Sequence, residues 1–300
     1  MENQTVVTHP WKGAYYNKWL PVLEKYGVEY QPLTNVEWIE YSPKTDLLAM
    51  NEIFENRILV PKMFLNSNMI HLPTVKTHGH TVTTGAMKNA FGGLIPKYRH
   101  HAHAKIHEVL VDLLAIQKEI HSSIFAVMDG TVAGDGAGPR TMIPRVANLL
   151  LASEDQVAID AVAAKIMGFD PLKIPYIRMA HDRGLGVGDV DQIEIVGMDR
   201  KEFEKLNLGF KTKKSLVIFW DQVLRKGTYN MKFIHRLLFH SPIFRLFIFA
   251  SGFYHDMLWY PIIGKSRIRK FLDTSWGRLW SSYPTGSFPK YTEVKEWDIY

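Results

Sequence analysis

"FAVMDGTVAGDGAGPR", residues 125–140, decides how the chain is read. Its first half continues from Ser122-Ser123-Ile124 as an apolar, β-prone run, the pattern of a buried core strand that ends at Asp129. Its second half spaces Gly130, Gly134, Gly136 and Gly138 ahead of Pro139 and Arg140, and reads as a glycine-rich loop leaving that strand. Glycines let a backbone approach a ligand closely, and successive exposed N–H groups cradle an anion. Arg140 would add a bidentate contact. Asp129 and Asp135 offer a second chemistry, either a general base or a pair of hard ligands for a divalent ion such as Mg²⁺. The stretch lacks the Gly-Lys-Ser/Thr of a nucleotide-phosphate loop and the third helix-opening glycine of a dinucleotide fingerprint. A plain turn-rich connection is the bland alternative.

Outward from this stretch, strands and helices alternate. "RILVPKMF" (57–64), "NMIHLP" (68–73), "NLLLAS" (148–153) and "QIEIVG" (192–197) read as strands. "TTGAMKNAFGGL" (83–94) reads as a helix stopped by Gly92-Gly93. Residues 102–120 form an amphipathic helix with Ile106, Val109, Leu110, Leu113 and Leu114 on one stripe and Glu108, Asp112 and Glu119 opposite. Ser153 and Gln156 make a capping-box pattern for a further helix that Gly168 ends. This order predicts an α/β fold, a layered and mainly parallel sheet with flanking helices, over residues 1–213. Residues 214–300 change character and are expected to form a helical, basic-aromatic C-terminal region.

Groups just beyond strand ends line the ligand crevice of open α/β sheets. "PTVKTHGH" (73–80) follows such a strand, so Lys76 is a candidate anion ligand beside Thr77, and His78 a proton-transfer group. Lys88 and Asn89 add a second polar pair. Asp160, alone on an otherwise apolar helix, should be hydrogen-bonded or functional, because burying it unpaired is costly. Seven of the thirteen histidines fall within residues 71–108. If helical, His103 and His107 stand four apart and face one metal ion, although Ala104 occupies the place where metalloproteases of that spacing carry their general base.

The chain has no cysteine, which excludes disulfides, thiolate zinc sites and a self-held iron–sulfur cluster. Any divalent metal would use His, Asp, Glu or water. The net charge of +6 is local: Lys232 to Arg278 contains eight Lys/Arg against Asp256 and Asp273, leaving the remainder near neutral. That confinement argues for a local partner and not for nucleic acid. The region 233–280 interleaves aromatics with Lys265, Arg267, Arg269 and Lys270, as expected of a segment lying on an anionic membrane surface; Arg245, His255, Asp256 and Pro261 interrupt it too often for a spanning helix. The first residues lack the apolar core of a signal peptide, and a cytoplasmic, peripheral-membrane protein is expected.

Three motifs, "IHLPTVKTHGHTVTTGAMKNAFGGLIP", "FAVMDGTVAGDGAGPR" and "LLLASEDQVAIDAVAAKIMGF", occur in an order and spacing that resemble the domain-of-unknown-function family 362. The resemblance covers about residues 50–200. It places the family's Lys-Thr-His on Lys76, Thr77 and His78, its Lys-Asn on Lys88 and Asn89, and its Gly-Pro-Arg on Gly138, Pro139 and Arg140. Its Asp-Gly falls on Asp129 and Gly130, and its helix aspartates fall on Asp155 and Asp160. Members often carry ferredoxin-like cysteines, which this chain lacks, and usually open with a Lys-Pro-Asn turn, which is not found here.

The leading expectation is an enzyme for an anionic, lipid-linked or amphiphilic substrate at the cytoplasmic membrane face. Lys76, Thr77, Lys88, Asn89, Gly136, Gly138, Arg140 and Asp160 would bind substrate; His78, Asp129 and Asp135 would be catalytic. His103, His107, Asp129 and Asp135 are the candidate ligands for a divalent metal. A redox accessory protein docking an iron–sulfur partner and a non-catalytic membrane-surface scaffold are the alternatives.

Overall fold

The computed structural model describes residues 10–95 and 99–287. Lys97 and Tyr98 of the histidine-rich stretch, and residues 288–300 of the C-terminal region, lie outside them.

The α/β architecture is as expected, and the glycine-rich stretch is its central strand. β6 runs through Ser123–Ala137, where a loop was expected from residue 130. It pairs antiparallel with β7, Thr141–Ser153, and takes in Gly130, Gly134 and Gly136, with Gly138 in the turn that follows. Gly134 explains why: a Cβ there would meet Met142 and Lys76, so the absence of a side chain lets neighbouring strands close over it. A register shift between Gly130 and Val132 absorbs the irregularity.

Along the other edge of β6 lie β3 (Asn68–His71) and β4 (Thr74–His78), end to end and parallel to it, at residues 123–126 and 129–134 respectively. β5, Val82–Thr84, adds antiparallel to β4. A separate two-stranded sheet joins β1 (Trp38–Glu40) and β2 (Leu59–Pro61).

Two helices organise the core. Ile106–Ile120 is buried along nearly its whole length against β2, the segment 87–95 and the helix Pro175–Asp182. Gln156–Met167 packs Ile159, Ala163 and Met167 onto Val75, Ala126, Met128 and Ala133 of the sheet. Asp155, not Ser153, caps it: its Oδ1 accepts from Val157 N and Ala158 N, and its Oδ2 from Val187 N. Residues 192–197 do not form the expected strand, and Val196 points into solvent. Asp112, expected on the polar side of its helix, is buried and accepts from the backbone N–H groups of Leu48, Ala49 and Met50.

The C-terminal region is helical: Leu216–Thr228, Lys232–Phe239, Phe244–Phe253, a π-helical stretch Tyr254–Gly264, Lys265–Leu272 and Ser275–Ser282. It returns to the core at several points. Arg267 donates to the Thr141 carbonyl, Arg140 pairs with Asp256, Trp276 donates to Asn148, and Lys18 reaches the carbonyls of Trp280 and Tyr283.

Candidate functional site

The β4–β5 hairpin, the turn at 99–105, the start of the helix Ile106–Ile120 and the helix Leu216–Thr228 enclose a hollow of about 750 Å³. His78, His80, His103, His107, Lys213, Lys214, Arg225 and Lys226 line it, with Glu108 the acid on its wall.

The hairpin sets the geometry. Thr77 Oγ1 donates to the Gly136 carbonyl and locks β4 to β6. A Cβ on Gly138 would strike the Thr77 carbonyl, so this close approach requires glycine. Gly136 adopts a φ of 97°, the second reason for glycine in the motif. Val82 sits at φ 68°, a left-handed conformation strained for a β-branched residue, and it lines the hollow. Strain of this kind gathers where surrounding structure holds a segment in place for use.

His78 is buried, and its Nδ1 accepts from the His80 N–H. Thr81 Oγ1 stands 3.2 Å from the same nitrogen. Since the backbone N–H can only donate, the ring is a neutral tautomer with its proton on Nε2. Burial holds its pKa well below the usual histidine range, helped by Lys88, His80 and Lys76. His80 follows the same logic. Gln222 donates to the Gly79 carbonyl, which fixes its amide orientation, and stands 3.2 Å from His80 Nδ1. His80 Nε2 then faces Asp221 Oδ2 at 3.7 Å.

Lys76 and Lys88 stand close enough to the hollow for their charges to act on His78. Burial brings Lys88 down to about 8, with Lys76 and Arg99 adding to the effect. Lys88 lies 5.1 Å from the centre of the Phe91 ring, and the Arg99 Nε is buried without an acceptor. Among the described residues, none of these three cations has a carboxylate partner.

The remaining sequence candidates stand elsewhere. Asp129 is exposed in mid-strand, where its Oδ1 accepts from the N–H and hydroxyl of Thr131. Asp135 is buried between Arg145 and the backbone N–H of Lys211. Arg140 lies in the β6–β7 turn with Asp256. Neither the two aspartates nor Arg140 lines the hollow. Asp160 accepts from Ala86 N and Met87 N and lies under Gly85, so it anchors the segment that carries Lys88; burial raises it to about 7. Asn89 contacts His71, which in turn bonds Gln117. His103 and His107 do not share one α-helical face, because the turn 99–105 is 3₁₀. His103 stacks on His80 at 4.8 Å and His107 on Tyr176 at 6.0 Å.

Asp221, Gln222 and Arg225 are the participants that sequence reading missed. Arg225 Nε donates to both oxygens of Asp221, while its terminal nitrogens are buried without acceptors. The i, i+4 spacing of Asp221 and Arg225 was visible, but it looks like any exposed helical ion pair.

An α/β protein with a basic, histidine-walled hollow is thus the class that fold and site define. The chain belongs to the family described as Domain of unknown function (DUF362), whose family model matches residues 1–165. It is also similar to the thylakoid-associated protein sll1697 of Synechocystis sp. (strain ATCC 27184 / PCC 6803 / Kazusa), with 28% identity over 178 residues, 58% of this chain. The chain spans about half, 52%, of that relative's length. No solved structure matches.

Proposed function

We propose that the hollow binds an anionic group of an amphiphilic substrate, and that the protein is an enzyme working on it at a membrane surface. The carrying observation is the cluster of Lys76, Lys88 and Arg99, half-buried beside the hollow without lining it, with no carboxylate to neutralise it among the described residues. Partly burying unpaired cations carries a desolvation cost that an anion offsets when it binds. His78 would donate a hydrogen bond from Nε2, as a neutral imidazole does when it polarises an oxygen. His107, whose Nδ1 is without a partner among the described residues, lines the same hollow and would take a proton from an acidic group of the bound substrate.

Membrane association is supported by the similarity to a thylakoid-associated protein and by the surface of the C-terminal helices. Phe233, Leu246, Phe249, Met257 and Ile262 are all exposed, and the same region exposes Lys265, Arg269 and Lys270. Apolar area next to basic residues suits an anionic lipid interface. Among the described residues, no single helix is long and apolar enough to cross a membrane, although the bent pair Lys232–Phe239 and Phe244–Leu272 passes by length and composition together.

Calorimetric titration with inorganic phosphate tests the hollow, and flotation with phosphatidylglycerol vesicles tests the tail. Saturable phosphate binding that Lys88→Met abolishes is the expected result. Phosphate binding that is unchanged in Lys88→Met overturns the site. Flotation that is unchanged when Phe233, Phe249 and Ile262 are replaced by Ser overturns the membrane reading.

A further inference from the structure

We infer that His80, His103 and Asp221 form a binding site for a divalent transition-metal ion, with Zn²⁺ the best-suited member of the class. One donor atom from each lies within 4.8 Å of the other two, and His80 Nε2 is 3.7 Å from Asp221 Oδ2. Donors around a tetrahedral zinc stand about 3.4 Å apart, as bond lengths of about 2.1 Å require. The His80–Asp221 pair nearly has that spacing, and His103 closes the rest. Two imidazoles and one carboxylate suit Zn²⁺, Co²⁺ or Ni²⁺ better than Mg²⁺ or Ca²⁺, which prefer all-oxygen shells.

Each ligand is also held by a neighbour, as metal ligands usually are. Binding an ion through Nε2 places the His80 proton on Nδ1, so the Gln222 amide, whose nitrogen faces Nδ1 here, would turn its oxygen there to accept it. Arg225 grips both oxygens of Asp221. The Phe91 ring lies parallel to His103 at 6.0 Å, backing its plane. His80 and His103 line the hollow, so an ion held by three protein ligands keeps a position open toward it. That is the arrangement of a metal that also meets a ligand, and it is distinct from the His103–His107 pairing expected from helical spacing.

The three ligands come from the β4–β5 hairpin, the turn 99–105 and the helix Leu216–Thr228. An ion would therefore tie the C-terminal region to the core. This gives the site a readout that needs no knowledge of a reaction.

The full-length chain, stripped with chelator, is titrated with Zn²⁺ in competition with a chromophoric chelator and with Co²⁺ by visible absorption. One equivalent bound, with an intense tetrahedral Co²⁺ spectrum, is expected. Affinity should fall about tenfold or more in Gln222→Ala, whose side chain contacts His80 and the Gly79 carbonyl without being a ligand, and further in His103→Gln and Asp221→Asn. Asp129→Asn should bind as the unaltered chain does. Zn²⁺ should also slow trypsin cleavage at Lys213, Lys214 and Lys226 and raise the melting temperature of the unaltered chain. No binding, or binding that the His103, Asp221 and Gln222 variants leave unchanged, overturns the site. Phosphate binding is measured separately in chelator: its survival there shows that loss of the metal site leaves the anion reading standing, and its failure beside intact Zn²⁺ binding shows the reverse.

Discussion

Two sets of at least partly buried charges are treated in opposite ways in this molecule. Asp112, Asp155 and Asp160 each spend their oxygens on backbone N–H groups, and Glu119 does the same at the backbone of Lys44 and Thr45. They close helix ends and loops and leave nothing for a ligand. Lys76, Lys88 and Arg99 have no such partners among the described residues, and the imidazoles of the hollow are held neutral by burial. Charge spent on the fold holds the structure, whereas charge left unspent in a concave place is available for binding.

The comparison can be broken by substitution. The largest effect should come from Asp112→Ala, which strands two buried backbone donors and a partly buried one; at about 1–3 kcal/mol each, discounted for relaxation, a loss of about 2–4 kcal/mol is expected in urea unfolding. Asp160→Ala should follow closely. Lys88→Met should do the reverse, weakening phosphate binding about tenfold or more while leaving stability unchanged or raised, as titration and melting of one sample would show.

Acidity sharpens the contrast further. Lys88 falls from an unfolded value of 10.5 to about 8 in the fold, so between these limits the unfolded chain binds the extra proton. Its contribution to stability therefore rises as pH climbs from about 8 to 10.5, while phosphate affinity falls over the same interval as the charge is lost. Subtracting the Lys88→Met profile from that of the unaltered chain isolates both slopes; slopes of the same sign would remove Lys88 from the anion site. The smallest effect is expected from Asp129→Ala. Exposed and bonded only to Thr131, it should change stability by about 0.5 kcal/mol or less and phosphate binding not at all.

Much of the frame was legible because it depends on local pattern. The apolar stripe from Ile106 to Ile120, the strand at 68–71 and the helical C-terminal region follow from periodicity and composition, whereas residues 74–78, read as the segment beyond a strand end, form a strand themselves. Lys76 and His78 were singled out as groups beyond a strand end, but they stand within the strand Thr74–His78, and Lys88 lies in the short helix Ala86–Asn89. The glycine series misled, because glycine permits a turn and also permits close strand packing, and only the partners Met142 and Lys76 decide between them. Asp160 was read correctly as needing partners, but those partners are backbone groups 74 and 73 residues away. Asp221, Gln222 and Arg225 escaped notice because their role depends on how the C-terminal helix docks, which no local pattern encodes.

That docking has a consequence for how the protein could diversify. The family match stops at residue 165, yet one wall of the hollow is built from residues 212–230. A related chain with the same core and another ending would keep Lys76, His78 and Lys88 but present a different mouth. Selectivity would then be exchanged by recombination of whole segments, with the inherited chemistry behind it undisturbed.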